Sequence, residues 1–260
     1  VRECRGLILN AEDNWNVVAY PFYRFFNYGE ELADEIDWNT ARVQEKIDGS
    51  LIILYHYKDK WRVATRGSIN AGGQVGGNDF NFSELFWSSC EYWYKGLCKS
   101  GDLNKSYTYM IELTSPYNRV LCDYTKVGWI AVTDSDGNSV DPWLTDVSGY
   151  SGEGSRITLI GVRNNETLEE IPVSNFSDDW HYVVREFPLT SIDEVIKASE
   201  ELNPLQQEGY VIVDGNFNRI KVKSPKYVLI HHVRDNFTTR RIIDLIRLGE
   251  MPEVLAYYPE

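Results

Sequence analysis

The stretch Glu45-Lys46-Ile47-Asp48-Gly49-Ser50 decides how this chain is read. It places one lysine two residues before an Asp-Gly turn, between two segments, 43–47 and 50–57, that read as strands. A protonated lysine is a poor nucleophile, with an ordinary pKa of about 10.4. Burial or neighbouring cations lower that value and make the amine useful. Gly49 lets the backbone turn tightly and approach a bulky group such as a phosphate. The turn is therefore suited to presenting an amine to the α-phosphate of a nucleotide, although Asp-Gly alone is also an ordinary hairpin turn.

Three later segments extend the pattern. Met110-Ile111-Glu112-Leu113 is an apolar strand carrying one carboxylate, and Glu208-Gly209-Tyr210-Val211-Ile212-Val213 is a strand with a glutamate at its start. Ile220-Lys221-Val222-Lys223 puts two lysines on one face of a strand, because strand side chains alternate with period two. Taken singly, each of these is equally well a solvent-facing strand residue. A lysine, two strand-borne glutamates and a lysine pair in this order are not explained that way.

Around these residues the chain carries Arg5-Gly6-Leu7-Ile8, Arg24-Phe25-Phe26-Asn27, Thr65-Arg66-Gly67-Ser68, Ile111-Glu112-Leu113-Thr114-Ser115-Pro116, Asn118-Arg119-Val120, Leu159-Ile160-Gly161-Val162-Arg163 and Lys221-Val222-Lys223-Ser224. The whole series resembles the covalent nucleotidyltransferases, which include polynucleotide ligases and capping enzymes. Within them it is similar to the ATP-dependent RNA ligases of the phage RNA ligase 1 type, over nearly the whole chain. The resemblance implies an α+β fold: a nucleotidyltransferase (ATP-grasp-like ligase adenylation) domain of antiparallel sheets flanked by helices. It would cover 1–230, with a short C-terminal helical extension over 231–260 and no OB-fold. DNA ligases and capping enzymes follow the lysine-pair strand with that five-stranded barrel; here residues 224–260 are too few and too helical for one.

The resemblance also implies roles. Lys46 would attack ATP to form lysyl-AMP, with Lys221 and Lys223 neutralising the α-phosphate and depressing the Lys46 pKa. Arg5 and Arg24 would meet the β- and γ-phosphates or an RNA phosphate. The family often has lysine at the Arg24 position, and arginine keeps the charge with a different geometry. Glu112 and Glu208 would hold Mg²⁺, with Mn²⁺ as the alternative metal, or the ribose hydroxyls. Glu45 would lie near the adenine edge, Arg66 near the ribose or acceptor phosphate, and Asp48 would hold the loop. The implied partners are ATP and RNA with 5′-phosphate and 3′-hydroxyl ends, in RNA or tRNA repair. Two alternatives stay open: the same core acting on DNA ends or using GTP, and a non-catalytic RNA-end binding module.

Composition is compatible with this. Of 260 residues, 43% are hydrophobic and 25% charged, as in an ordinary globular protein. No apolar run suits a membrane span and no signal peptide opens the chain, so a soluble intracellular protein is expected. The chain begins at Val1 and reads as a trimmed fragment. Cys4, Cys90, Cys98 and Cys122 lack zinc-site spacing and are expected to be buried free thiols. The net charge of −13 opposes tight coating of nucleic acid. From Arg219 to Arg247, however, eight basic residues stand against two aspartates, a balance of +6 that leaves −19 elsewhere. A local basic groove on an acidic body, with salt-sensitive RNA binding, is the expectation.

Local patterning predicts further strands over 5–9, 15–20 and 60–66, a short helix over Gly29–Ile36 and an aromatic-rich helix over 81–96. Gly67–Gly77 reads as a mobile surface loop, and 134–155 as a turn with an inserted loop that departs from the family pattern. Ser191 with Glu194 forms a capping box opening a helix to about Leu202. Thr239–Leu248 reads as an amphipathic helix ended by Gly249 and Pro252.

Overall fold

Alternating apolar residues build two five-stranded sheets, seen in a computed structural model that describes residues 2–92, 103–124, 132–133, 139–140, 154–180 and 182–235, with residues 243 and 247. Most of the helix expected over 239–248, most of the 134–155 insertion and Cys98 lie outside the described residues. The chain divides into two compact units. The first comprises Val1–Phe25, Gly49–Val120 and Tyr124–Arg185; the second comprises Phe26–Asp48, Leu121–Asp123 and Glu186–Glu260.

The strands in chain order are β1 (Ile8–Asn10), β2 (Asn16–Ala19), β3 (Phe26–Asn27), β4 (Arg42–Lys46), β5 (Ser50–Tyr57), β6 (Lys60–Ala64) and β7 (Tyr107–Thr114). They continue with β8 (Val132–Thr133), β9 (Ser139–Val140), β10 (Arg156–Asn164), β11 (Glu170–Ile171), β12 (Glu186–Phe187), β13 (Gly209–Val213) and β14 (Arg219–Lys223). The helices are α1 (Phe82–Tyr92), α2 (Ile192–Glu201) and α3 (Pro225–Asp235).

In the first unit the sheet order is β11-β10-β7-β5-β6, antiparallel throughout. One face of β5 and β6 buries Ile53, Tyr55 and Ala64 against Ala19, with Ile8 and Val18 of the β1–β2 hairpin packed alongside. Helix α1 opens on a reciprocal cap: Glu84 N donates to Asn81 Oδ1 and Asn81 N to Glu84 Oε2. Its Phe86 is fully buried. The expected surface loop at 67–77 is anchored rather than loose. Ala71 and Val75 are fully buried, and Tyr55 donates its hydroxyl to Ile69 O at 3.0 Å.

In the second unit the order is β12-β4-β13-β14-β3, antiparallel except for the β14–β3 pair. Val43, Tyr210, Ile212, Ile220 and Val222 share one face and bury it against Val195 of α2. Helix α2 begins at Ser191, whose side chain accepts from Glu194 N. In place of the helix expected over Gly29–Ile36 the chain makes turns and a bend over 29–32 and runs irregularly over 33–36. Side-chain bonds to the backbone outcompete it: Glu30 accepts from Asn27 N, and Asp34 accepts from Arg219 N. Cys90 and Cys122 are buried free thiols, but Cys4 is exposed.

Candidate active site

Three adjacent strands of the second unit bring the predicted lysines together. Gly209 on β13 pairs in register with Lys46 at the end of β4 and with Lys223 at the end of β14. Residues opposed across a ladder share a face, and so do residues two apart. Lys46, Lys223 and Lys221 therefore rise from one face of the sheet. Glu45, in register with Tyr210 and 4% exposed, stands on the opposite, apolar face.

Glu208 precedes Gly209 and sends its carboxylate between two ammonium groups. Its Oε2 lies 2.5 Å from Lys46 Nζ and its Oε1 2.7 Å from Lys223 Nζ. The Glu208 side chain is 4% exposed, whereas those of Lys46 and Lys223 are 21% and 33% exposed. The negative charge is thus buried while the cations stay reachable. A glycine at 209 makes this approach feasible: a Cβ there would fall 2.2 Å from Val222 O and 2.8 Å from Lys223 Cα. Burial, then the positive charges of Lys46 and Lys223, lower the Lys221 pKa, against the raising effect of Glu30 and Glu208.

Asp48 is 5% exposed and fully engaged. Its Oδ2 accepts from Leu121 N and Cys122 N, each at 2.9 Å, and its Oδ1 accepts from the Tyr227 hydroxyl at 2.7 Å. Tyr227 is 2% exposed, and burial, then the charges of Glu208 and Asp48, push its phenol far above the ordinary range. Lys223 Nζ sits 5.5 Å from the centre of the Tyr227 ring. Sequence reasoning missed Tyr227. The available signal was Ser224-Pro225, a helix start that turns the chain back immediately after the lysine pair.

The first unit holds the remaining predicted residues in two groups. Arg5, Arg24 and Arg66 are exposed. Burial, then the charges of Arg66 and Arg24, lower the Arg5 pKa. Arg24 N donates to Arg2 O at 2.7 Å and Arg2 Nε to Arg24 O at 3.2 Å, which fixes that segment.

Glu112 lies half-buried on β7, opposite Leu51 on β5 and Thr158 on β10. Gly49 rests directly against this strand: a Cβ on it would fall 2.6 Å from Leu113 O and 3.1 Å from Glu112 Cγ. Asn118 donates from Nδ2 to Leu113 O at 2.9 Å and to Ser50 Oγ at 3.1 Å. Its Oδ1 accepts from Ser115 Oγ at 2.8 Å, so residues 115–118 form a turn after β7 that holds the residue after Gly49.

Among the described residues no group of three or more His, Cys, Asp or Glu is clustered to hold a metal ion. No described helix is long and apolar enough to cross a membrane.

The RNA ligase family model matches residues 3–227. An RNA ligase of Rhodothermus phage RM378 is 29% identical over 286 aligned residues, covering 93% of this chain and 63% of that protein. A protein of Autographa californica nuclear polyhedrosis virus, whose name joins a polynucleotide kinase to an RNA ligase, is 30% identical over 277 residues. That match covers 100% of this chain and 35% of the viral protein, so the chain spans less than two thirds of either relative. Among solved structures, an archaeal ATP-dependent RNA ligase aligns with a TM-score of 0.54 at 15% identity, over 98% of this chain and 62% of that one. At that identity the likeness is one of fold.

Proposed function

This chain belongs to the RNA ligase family, and we propose that it is an ATP-dependent RNA ligase joining 5′-phosphate and 3′-hydroxyl ends in RNA or tRNA repair. The observation that carries the reading is the Lys46–Glu208–Lys223 bridge with Lys221 on the same sheet face. The two sheets are read as an ATP-grasp-like ligase adenylation domain.

The chemistry follows from the charges. Lys46 attacks the α-phosphate of ATP, the bond to pyrophosphate breaks, and a lysyl-AMP phosphoramidate remains. AMP then passes to the 5′-phosphate of one RNA end, and a 3′-hydroxyl attacks that activated phosphate and releases AMP. Each step concentrates negative charge at phosphorus, where fixed cations act by electrostatic stabilisation. Lys221 and Lys223 are the cations beside the nucleophile. Lys46 must shed a proton to attack, and the 2.5 Å contact with Glu208 Oε2 supports that carboxylate as the acceptor. Arg5, Arg24 and Arg66 take the role of anion receptor for the outer ATP phosphates or an RNA phosphate. Asp48, held by Tyr227 and two amides, fixes the Lys-x-Asp-Gly loop. The backbone of Glu45 supplies the adenine edge, since its side chain is buried on the apolar face.

The donor set fits Mg²⁺ carried by substrate better than a protein-built cage. One or two carboxylates suffice for Mg²⁺ when phosphates complete its shell; Glu208 is one candidate and Glu112 another. Both Glu208 oxygens already contact ammonium groups, so a metal held there replaces one contact. When bound, the ion would neutralise phosphate charge.

The test is end joining with a 5′-phosphorylated, 3′-hydroxyl RNA, beside the same strand as DNA and with GTP replacing ATP. Joining of RNA with ATP supports the reading. Joining of DNA alone, or use of GTP alone, overturns it in favour of the corresponding alternative.

A further inference from the structure

Asn27 carries an acceptor that the protein leaves unused. Its Oδ1 is buried and has no hydrogen-bond partner. Orphaned buried carbonyls are uncommon and call for a reason. Turning the amide over does not remove the problem. Nδ2 donates to Glu30 Oε1, which also accepts from Asn27 N at 3.2 Å. A turned amide would press a carbonyl oxygen against that carboxylate.

The position of Asn27 says what the acceptor is for. Asn27 on β3 pairs in register with Lys221 on β14, so its side chain stands on the face that carries Lys46, Lys221 and Lys223. Glu30, which fixes the amide, is also among the groups that Lys221 senses. A phosphate at neutral pH brings no donor for a carbonyl oxygen. A nucleotide brings donors in its base amine and in its ribose hydroxyls, and the ribose is the part bonded to the phosphate. Lys221 has a long flexible stem, so its ammonium can follow a phosphate while its strand stays paired in register with Asn27.

We propose that Asn27 Oδ1 accepts a hydrogen bond from a ribose hydroxyl next to the phosphate held by the lysine face, and thereby favours ribonucleotides over deoxyribonucleotides. This rests on the ligase reading above. The hydroxyl belongs either to ATP or to the RNA end, and the 2′-hydroxyl is the group that separates RNA from DNA.

The experiment has two arms, each run on the wild type, Asn27→Leu and Asn27→Ser. The nucleotide arm follows AMP attachment by intact mass with ATP, 2′-deoxy-ATP and 3′-deoxy-ATP. The RNA arm compares joining of strands whose reacting ends carry ribose or 2′-deoxyribose. One net hydrogen bond corresponds to a preference of about two- to twelvefold for the ribose form. The wild type should show it in one arm, and the variants should lose it there by slowing only on the ribose substrate. The arm that responds names the source of the hydroxyl. Variants that slow equally on ribose and deoxyribose, or a wild type without preference in either arm, overturn the proposal. Asn27→Ser supplies the ratio if Asn27→Leu does not fold. A folded wild type that takes AMP from no nucleotide overturns the ligase reading itself.

Discussion

Tyr227 donates its hydroxyl to Asp48 Oδ1 at 2.7 Å, tying the first turn of α3 to the loop that follows the proposed nucleophile. The bond spans 179 residues of sequence and is buried at both ends. Tyr227→Phe keeps the ring beside Lys223 but removes a hydrogen bond to a buried carboxylate. A stability loss of about 1.5–3 kcal/mol is expected in denaturant unfolding. The folded phenol is raised above its unfolded value of about 10, so its contribution is complete below pH 10 and fades above it. The difference between wild type and variant should therefore shrink as pH rises past about 10. An unchanged unfolding midpoint at pH 7 would contradict this.

Glu208 is the shared counter-charge of Lys46 and Lys223. Glu208→Gln keeps the shape and removes both the charge and the proton acceptor. AMP attachment should fall by about a hundredfold or more, with ATP affinity changing far less. A variant within threefold of wild type would remove Glu208 from the mechanism.

Gly209→Ala tests the close approach of β13 and β14. The new Cβ would lie 2.2 Å from a backbone oxygen, which no side-chain rotation relieves. Destabilisation of about 3 kcal/mol or more is expected, seen as a lower thermal midpoint together with lost activity. Wild-type stability in this variant would show that the strands separate at no cost.

The role proposed for Lys221 comes at the expense of stability. Its folded pKa lies below the unfolded value, so the ammonium is disfavoured in the folded state. The resulting penalty is present at neutral pH and is relieved as pH rises from the folded pKa through about 10.4. Lys221→Gln should match or exceed the wild-type thermal midpoint at pH 7 while attaching AMP far more slowly. A lower midpoint would show that Lys221 is held chiefly by favourable contacts.

The lysine face of the proposed site was legible because period two and motif order act locally. Lys221 and Lys223 had to share a face once β14 was a strand, and Gly209 set the register that adds Lys46. What escaped depends on distant partners. Tyr227 acts only because α3 folds back toward Asp48, and the orphaned Asn27 acceptor appears only when Glu30 has taken its amide. The absent helix at 29–36 has the same origin. Its composition suits a helix, yet Asp34 is claimed by the Arg219 amide 185 residues away. In the 67–77 loop, glycine content suggested exposure, while two small apolar residues, Ala71 and Val75, anchor it in the core.

The most direct test of the account is the intact mass of the wild type and of Lys46→Ala before and after incubation with ATP and Mg²⁺. A gain of one adenylyl group in the wild type and none in the variant is expected. A folded wild type that carries no AMP beforehand and gains none, or a Lys46→Ala variant that gains it, would contradict the covalent mechanism placed on Lys46.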